Sequence, residues 1–549
     1  MYFKLAFLLI VLLALWLRLF NIEMRPMHGD EANQAYRFSL LHEEGKPVYD
    51  ARDYHGPTLY YFMRPVAWVQ GKSYADLNKA DYRLLTVFFS MLTLFLCLAF
   101  KETLGELGTL SAALLMAVSP AMVYYSKYFI QESLLVFFSL AFLAATWQFY
   151  CNRESKKKAT IYALLSGLSS GFLLSTKETC VLFFAACLCV VFFLKKDRLS
   201  WLKEFWRTKR IHVIQFCVSM GVIYVIFYSA FFTHPQGLVE PITGISSHIQ
   251  RGLGSDDLPE NTTAGAAHTK SFDYYLNLLI GSWRRPYHET GEVDYSKSPR
   301  SLARIFESVV KNQASRPVSE ILICLLALVG FVLIAKYDQS SVAKFWLYYT
   351  VFILLFYSLI PYKTPWCVLS SLLGFCFLGG YGVKLINKRI KNKSGLVFVA
   401  LILGLGIVDL IRQNILLSDL RATDNPYAYS QSLYNVEDLL EQVDSIALSN
   451  EKKENLDIHF FTSDYWPLPW YLRNYQSVAY WDQDQPDDRA NELEVIIFPN
   501  ENEDLFERLE STHTFSLYGF RRGTHLTLAC RNDLWQELLK HRENKEMTQ

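Results

Sequence analysis

Eleven apolar stretches run through the 549 residues, at 5–21, 82–100, 107–125, 129–150, 159–176, 179–194, 211–232, 317–335, 344–360, 366–386 and 395–414. A helix needs ~20 mostly apolar residues to cross ~30 Å of hydrocarbon. Lipid offers no partner to a backbone N–H or C=O, so stretches of this length and spacing are expected as helices. The chain therefore reads as a polytopic α-helical membrane protein with about eleven spans. Charged residues make up 19% of it, below the ~25% usual in soluble proteins, and the deficit is local. Beyond residue 420 the composition is that of an ordinary soluble domain. The net charge of +1 leaves no basic footprint for nucleic acid. Cys97, Cys187, Cys189, Cys217, Cys324 and Cys376 lie inside apolar runs, where cysteine acts as a small hydrophobe. Only Cys530 lies in the tail, so neither a disulfide framework nor a zinc spacing is expected. Residues 1–20 carry no small-residue cleavage site before Arg25 and read as a retained first helix.

Basic loops set the expected orientation. Arg153 and Lys156–Lys158, the seven Lys and Arg of 195–210, and Lys388, Arg389, Lys391 and Lys393 form three short clusters. Basic short loops face the cytoplasm, and all three do so if the N-terminus is cytoplasmic. With an odd number of spans, the tail then lies outside the cytoplasmic (inner) membrane. The outer face receives loop 22–81, loop 233–316 and the tail. Loop 22–81 holds helix-like pieces at 31–44 and 58–70, the second rich in aromatics suited to a membrane interface. The boundaries read from the sequence are a membrane domain, 1–420, with its two outer loops, and an extracytoplasmic α/β domain, 421–549. Its helices are expected at 433–447, 503–510 and 533–541, and its strands near 458–461, 478–481, 495–498, 514–520 and 525–530.

The chemistry-bearing residues cluster at expected outer ends of spans. Asp30 and Glu31 follow the first helix. Lys127 and Glu132 flank the start of the fourth span, Lys177 and Glu178 separate two spans, and Tyr362 and Lys363 follow another. Acidic residues at a helix start also act as caps, and long cations at span ends also snorkel. Taken together, carboxylates and cations on one membrane face suit group transfer from a lipid phosphate. A carboxylate takes a proton as general base, while Lys, Arg and His hold the phosphate charge as it leaves. Candidates for phosphate contact are His55, Lys127, Lys177, Arg284, Arg285 and Lys363. Tyr54 precedes His55. His268 reads either as an ordering residue of its loop or as an exposed loop histidine. The aromatic run 466–471 reads as a glycan platform or, preferably, as the buried contact between the tail and the membrane domain.

The sequences His-Gly-Asp-Glu-Ala (28–32), Tyr-His-Gly-Pro (54–57), Ser-Leu-Ile-Pro-Tyr-Lys-Thr-Pro-Trp (358–366) and Asp-Tyr-Trp-Pro-Leu-Pro-Trp-Tyr-Leu-Arg (464–473) resemble GT-C membrane glycosyltransferases. The broad resemblance is to the protein O-mannosyltransferase and aminoarabinose-transferase group. The narrower one is to a prokaryotic flippase-activity-associated family of glycosyltransferase-like proteins. The resemblance spans nearly the whole chain. It implies a polyprenyl-phosphate-linked sugar donor and outer-face helices in the first loop. It implies Asp30 as catalytic base with Glu31 beside it, and Glu132 at the second-loop acidic position, where relatives often have Asp. His55 stands where aminoarabinose transferases have Lys, and Gly56-Pro57 replaces their double proline. Some GT-C enzymes use a divalent ion, and Asp30, Glu31 and Glu132 supply the oxygen ligands that Mg²⁺ or Mn²⁺ would take.

The expected function is thus inverting transfer of a sugar from a polyprenyl phosphate to a lipid, polysaccharide or protein acceptor outside the cytoplasmic membrane. A lipid-linked sugar flippase is the alternative. It would call for charges or helix breaks near mid-span, whereas most charges here fall at span ends. A non-catalytic envelope assembly protein acting through its tail is the third reading.

Overall fold

The computed structural model describes residues 1–47, 49–50, 55–195, 197–253, 269–280, 319–338, 340–419, 425–481 and 490–547. Each apolar stretch carries a helix, in order Tyr2–Leu19, Lys79–Leu96, Lys101–Val118, Glu132–Cys151, Lys156–Leu174, Cys180–Leu194, Arg198–Tyr228, Ile321–Tyr337, Ser341–Leu359, Val368–Arg389 and Lys393–Asp419. Among the described residues, seven helical runs are long and apolar enough to cross a membrane. Helices Cys180–Leu194 and Ile321–Tyr337 are apolar but shorter. Leu5, Leu8, Leu9 and Leu12 of the first helix and Leu401, Leu405 and Val408 of the last are exposed. In water such rows would be a liability; in lipid they are the expected outer surface.

The stretch expected as one span at 107–125 is broken. Its helix stops at Val118, and a short helix, Pro120–Ser126, begins after Ser119. Pro120 has no N–H to continue the ladder, and its ring biases Ser119 away from the helical region. The exposed donors of the new start are met by the buried Glu320 carboxylate. It accepts from Ser119 Oγ at 2.9 Å and from the Ala121 N–H at 2.8 Å.

The chain forms two compact units. One comprises Met1–Ile22, Gly45–Val69 and Ala80–Ser418; the other comprises Glu23–Glu44, Gln70–Lys79 and Asp419–Gln549. A boundary at 420/421 puts all of loop 22–81 with the membrane helices. The compact units instead divide that loop, and two of its pieces pack with the tail.

The second unit is built on five strands, β1 (Asp457–Phe461), β2 (Ser477–Trp481), β3 (Val495–Pro499), β4 (His513–Arg521) and β5 (Thr524–Arg531). Their order is β2-β1-β3-β5-β4. β1 is parallel to β2 and β3, and β5 is antiparallel to β3 and β4. Helices Asn435–Ser449 and Asn532–Met547 supply Val436, Leu439, Val443, Leu534 and Leu538 to a core with Ile458, Phe460, Val495 and Ile497. Ile496, Phe498 and Ala529 alternate to the other face, where helix Glu503–Leu509 packs. Period-two alternation in the strands and an apolar stripe on the helices therefore place this core as the sequence dictates.

Candidate active site

In the first unit two sequence motifs meet. The turn Ser175-Thr176-Lys177-Glu178 lies between helices Lys156–Leu174 and Cys180–Leu194. The His55-Gly56-Pro57-Thr58 segment lies against it. The Thr58 N–H donates to the Ser175 carbonyl at 3.2 Å, and the Thr58 and Thr176 hydroxyls are 2.9 Å apart. A Cβ on Gly56 would fall 2.3 Å from the Ser175 oxygen, so only glycine permits this approach.

That clamp brings His55 to Glu178. His55 Nδ1 lies 2.8 Å from the Glu178 carboxylate, and both side chains keep about 29% exposure. The carboxylate accepts the Nδ1 proton, which leaves Nε2 directed elsewhere. The neighbouring Lys177 turns inward and donates to Glu132 in the first turn of helix Glu132–Cys151; both side chains are almost wholly buried. Glu132, Lys177, Glu178 and His55 thus form one cluster.

Two other candidate cations of this unit, Lys127 and Lys363, bond to backbone carbonyls. Lys127 donates to the Phe20 carbonyl at 3.0 Å and the Leu17 carbonyl at 3.4 Å, at the C-terminal end of the first helix, where a cation complements the dipole. Lys363 is buried and donates to the Ile360 and Lys270 carbonyls. Tyr362 forms an antiparallel bridge with Thr269. Tyr54, His268, Arg284 and Arg285 lie outside the described residues.

In the second unit the acidic pair starts helix Gly29–His42, and its two members have different fates. His28 is the N-cap. Its Nδ1 accepts from the Asp30 N–H at 3.0 Å, and its Nε2 lies 2.8 Å from the Tyr429 carbonyl. A carbonyl only accepts and a backbone N–H only donates, so the ring is neutral with its proton on Nε2. Burial lowers the His28 pKa further below 6.5 than the nearby Asp30 and Glu31 raise it. Glu31 is fully buried, and its carboxylate reaches back to the His28 N–H at 3.2 Å, which completes a capping box. The Asp30 carboxylate stays half exposed, 3.9 Å from His28 Nδ1. Of the three carboxylates considered for a divalent ion, Glu31 bonds the cap and Glu132 pairs with Lys177. Among the described residues, no group of three or more His, Cys, Asp and Glu side chains is arranged to hold a metal.

Residues from the far end of the chain surround this helix start. The Met27 N–H donates to the Tyr471 hydroxyl at 2.9 Å, which donates on to Glu437 at 3.2 Å. Gln431 donates to the Pro26 carbonyl at 3.1 Å. Arg521 grips Asp464 at 2.5 and 2.8 Å, donates to the Trp466 carbonyl, and passes beside Gly29. Trp466 lies tilted against Tyr36, with ring centroids 6.0 Å apart. Two of the sequence motifs, 28–32 and 464–473, are therefore one structural feature, and the aromatic run 466–471 is packed within it. Sequence reasoning missed His28, Arg521 and Glu320. The Glu31 position, three after a polar residue, was the readable signal of a cap, hidden because histidine is not a usual N-cap.

Residues 57–239 match the dolichyl-phosphate-mannose-protein mannosyltransferase family. No curated protein matches the chain in sequence. Among solved structures, ArnT from Cupriavidus metallidurans bound to undecaprenyl phosphate is similar with a TM-score of 0.59 at 14% identity, over 96% of this chain and 98% of that one. Its apo state gives 0.62 at 13% identity, over the same shares. The archaeal oligosaccharyltransferase AglB from Archaeoglobus fulgidus gives 0.54 at 10% identity, over 94% of this chain and 74% of that one. The likeness to ArnT extends over both the helices and the C-terminal sheet domain. These likenesses show the fold that the chain shares with ArnT and AglB, and residues 57–239 carry the mannosyltransferase match.

Proposed function

We propose that the chain transfers a sugar from a polyprenyl-phosphate donor to an acceptor at the outer face of the cytoplasmic membrane, with inversion at the anomeric carbon. The observation that carries this reading is the division of labour in the acidic pair. Glu31 is spent on the helix start, which leaves Asp30 as the carboxylate presented at the surface. Asp30 accepts the proton of the acceptor hydroxyl or amine as that atom attacks the anomeric carbon. The bond from that carbon to the phosphate oxygen breaks, and the polyprenyl phosphate leaves with the electron pair. Cations near the leaving phosphate stabilise its growing charge. His55 suits first contact, because Glu178 holds Nδ1 and directs Nε2, which donates to phosphate in the imidazolium form. Lys177, Lys363, Arg284 and Arg285 are further candidates. ArnT has been seen with undecaprenyl phosphate, and a donor of that class fits this reading.

The test is mass spectrometry of envelope glycans and glycolipids from cells with the wild-type chain, without it, and with Asp30→Asn. The expected result is a sugar modification that is present only with the wild-type protein. A modification that persists in cells carrying Asp30→Asn would reject Asp30 as the base.

A further inference from the structure

We infer that the C-terminal domain is the positioning device for Asp30, with Arg521 and Tyr471 as its positioning residues; this rests on Asp30 acting as base. A short loop helix has little stability of its own, since nucleating one fixes several residues for one hydrogen bond. Helix Gly29–His42 has 14 residues, and its start is fixed from outside at successive points. Pro26 is bonded by Gln431, Met27 by Tyr471, and His28 by the Tyr429 carbonyl. The guanidinium of Arg521 lies beside Gly29, 3.5 Å from where a Cβ would stand, and the Trp466 Cβ lies at the same distance.

These contacts act on backbone and cap, not on the Asp30 carboxylate. Their effect is to set where the Cα of residue 30 sits and which way the first turn faces. Arg521 is itself locked by two bonds to Asp464 and one to the Trp466 carbonyl. Tyr471 is locked through Glu437, on the helix that forms the domain core, and Lys79 pairs with that same glutamate at 2.6 Å. Arg473 extends the grip to the other loop piece, donating to the Tyr74, Ala75 and Leu77 carbonyls. The first loop is therefore held at both of its segments in this unit by residues some 400 positions later in the chain. A base misplaced by about 1 Å costs of order 10²-fold in rate, so a rigid domain bonded to the start of the helix is worth having on catalytic grounds alone.

The test uses the full-length protein in membranes, with Arg521→Gln and Tyr471→Phe made separately. Each is expected to lower kcat, by about tenfold to 10²-fold for Arg521→Gln, with donor KM unchanged. Hydrogen exchange at residues 28–31 should speed up while strands β3 and β5 stay protected. Tyr471→Phe removes one oxygen, so it still reads the inference if Arg521→Gln fails to fold. Wild-type kcat together with wild-type exchange at 28–31 in Tyr471→Phe would overturn the positioning role. Wild-type turnover in Asp30→Asn would instead overturn the base. Exchange at 28–31 would still report the coupling, so the two failures are separable.

Discussion

The charges of the membrane unit and those of the first-loop helix solve the same problem in opposite ways. Around Lys177 the charged groups are paired with side chains, Lys177 with Glu132 and Glu178 with His55. Around Asp30 the neighbours are consumed by the backbone, Glu31 and His28 each bonding a helix-start N–H. A paired buried charge keeps its place because losing its partner is costly. A carboxylate beside a satisfied cap stays available. Proximity in sequence therefore says little about chemical availability: Asp30 and Glu31 are adjacent, yet one is exposed and the other fully buried.

The largest expected effect tests the available carboxylate. Asp30→Asn should lower transfer about 10²- to 10⁴-fold and leave the thermal unfolding midpoint unchanged; activity near wild type would erase the contrast between the two acids. Next comes the paired charge. Lys177→Met leaves Glu132 buried and alone, and should destabilise the membrane unit by about 3–5 kcal/mol, measured by unfolding in detergent. Adding Glu132→Leu should recover most of that loss; if it does not, the pair is more than mutual neutralisation. His55→Ala should raise donor KM about 10- to 100-fold, the scale of a charge-assisted hydrogen bond of about 1.5–3 kcal/mol, with kcat little changed.

Two smaller effects probe the helix start. Glu31→Ala should cost about 1 kcal/mol of second-unit stability, whereas Glu31→Gln, which can still close a capping box, should cost less. The ordering of these two in a denaturation series is the measurement. The last is a pH dependence. Burial holds the His28 pKa below its unfolded value of 6.5, so the unfolded chain binds a proton that the folded ring refuses. Stability that is present above about pH 6.5 is then lost as pH falls through it. His28→Asn, which keeps a capping side chain, should flatten that part of the profile; an unchanged slope would place the titrating group elsewhere.

Much of this was legible along the chain. Each of the eleven apolar stretches carries a helix, and the tail's five strands and three helices fall within a few residues of where alternation and apolar spacing put them. The exception at 107–125 turns on Pro120, a local signal outweighed by the hydropathy of its surroundings. The acidic pair, His55 and the 464–473 motif stood out by residue type. What did not show was their pairing: nothing in His-Gly-Pro says that Gly56 rests on the Ser175 carbonyl, or that Tyr471 bonds to the N–H of Met27.

Hydropathy and periodicity are properties of neighbours along the chain, and they settled the membrane helices and the α/β tail, because water and lipid act on each segment whatever its distant partners. The interleaving of the first loop with residues 419–549, the commitment of Glu31 and the seclusion of Lys177 were decided only on folding. Each depends on a hydrogen bond or ion pair that needs particular atoms within about 3 Å, a condition that only the assembled chain can meet.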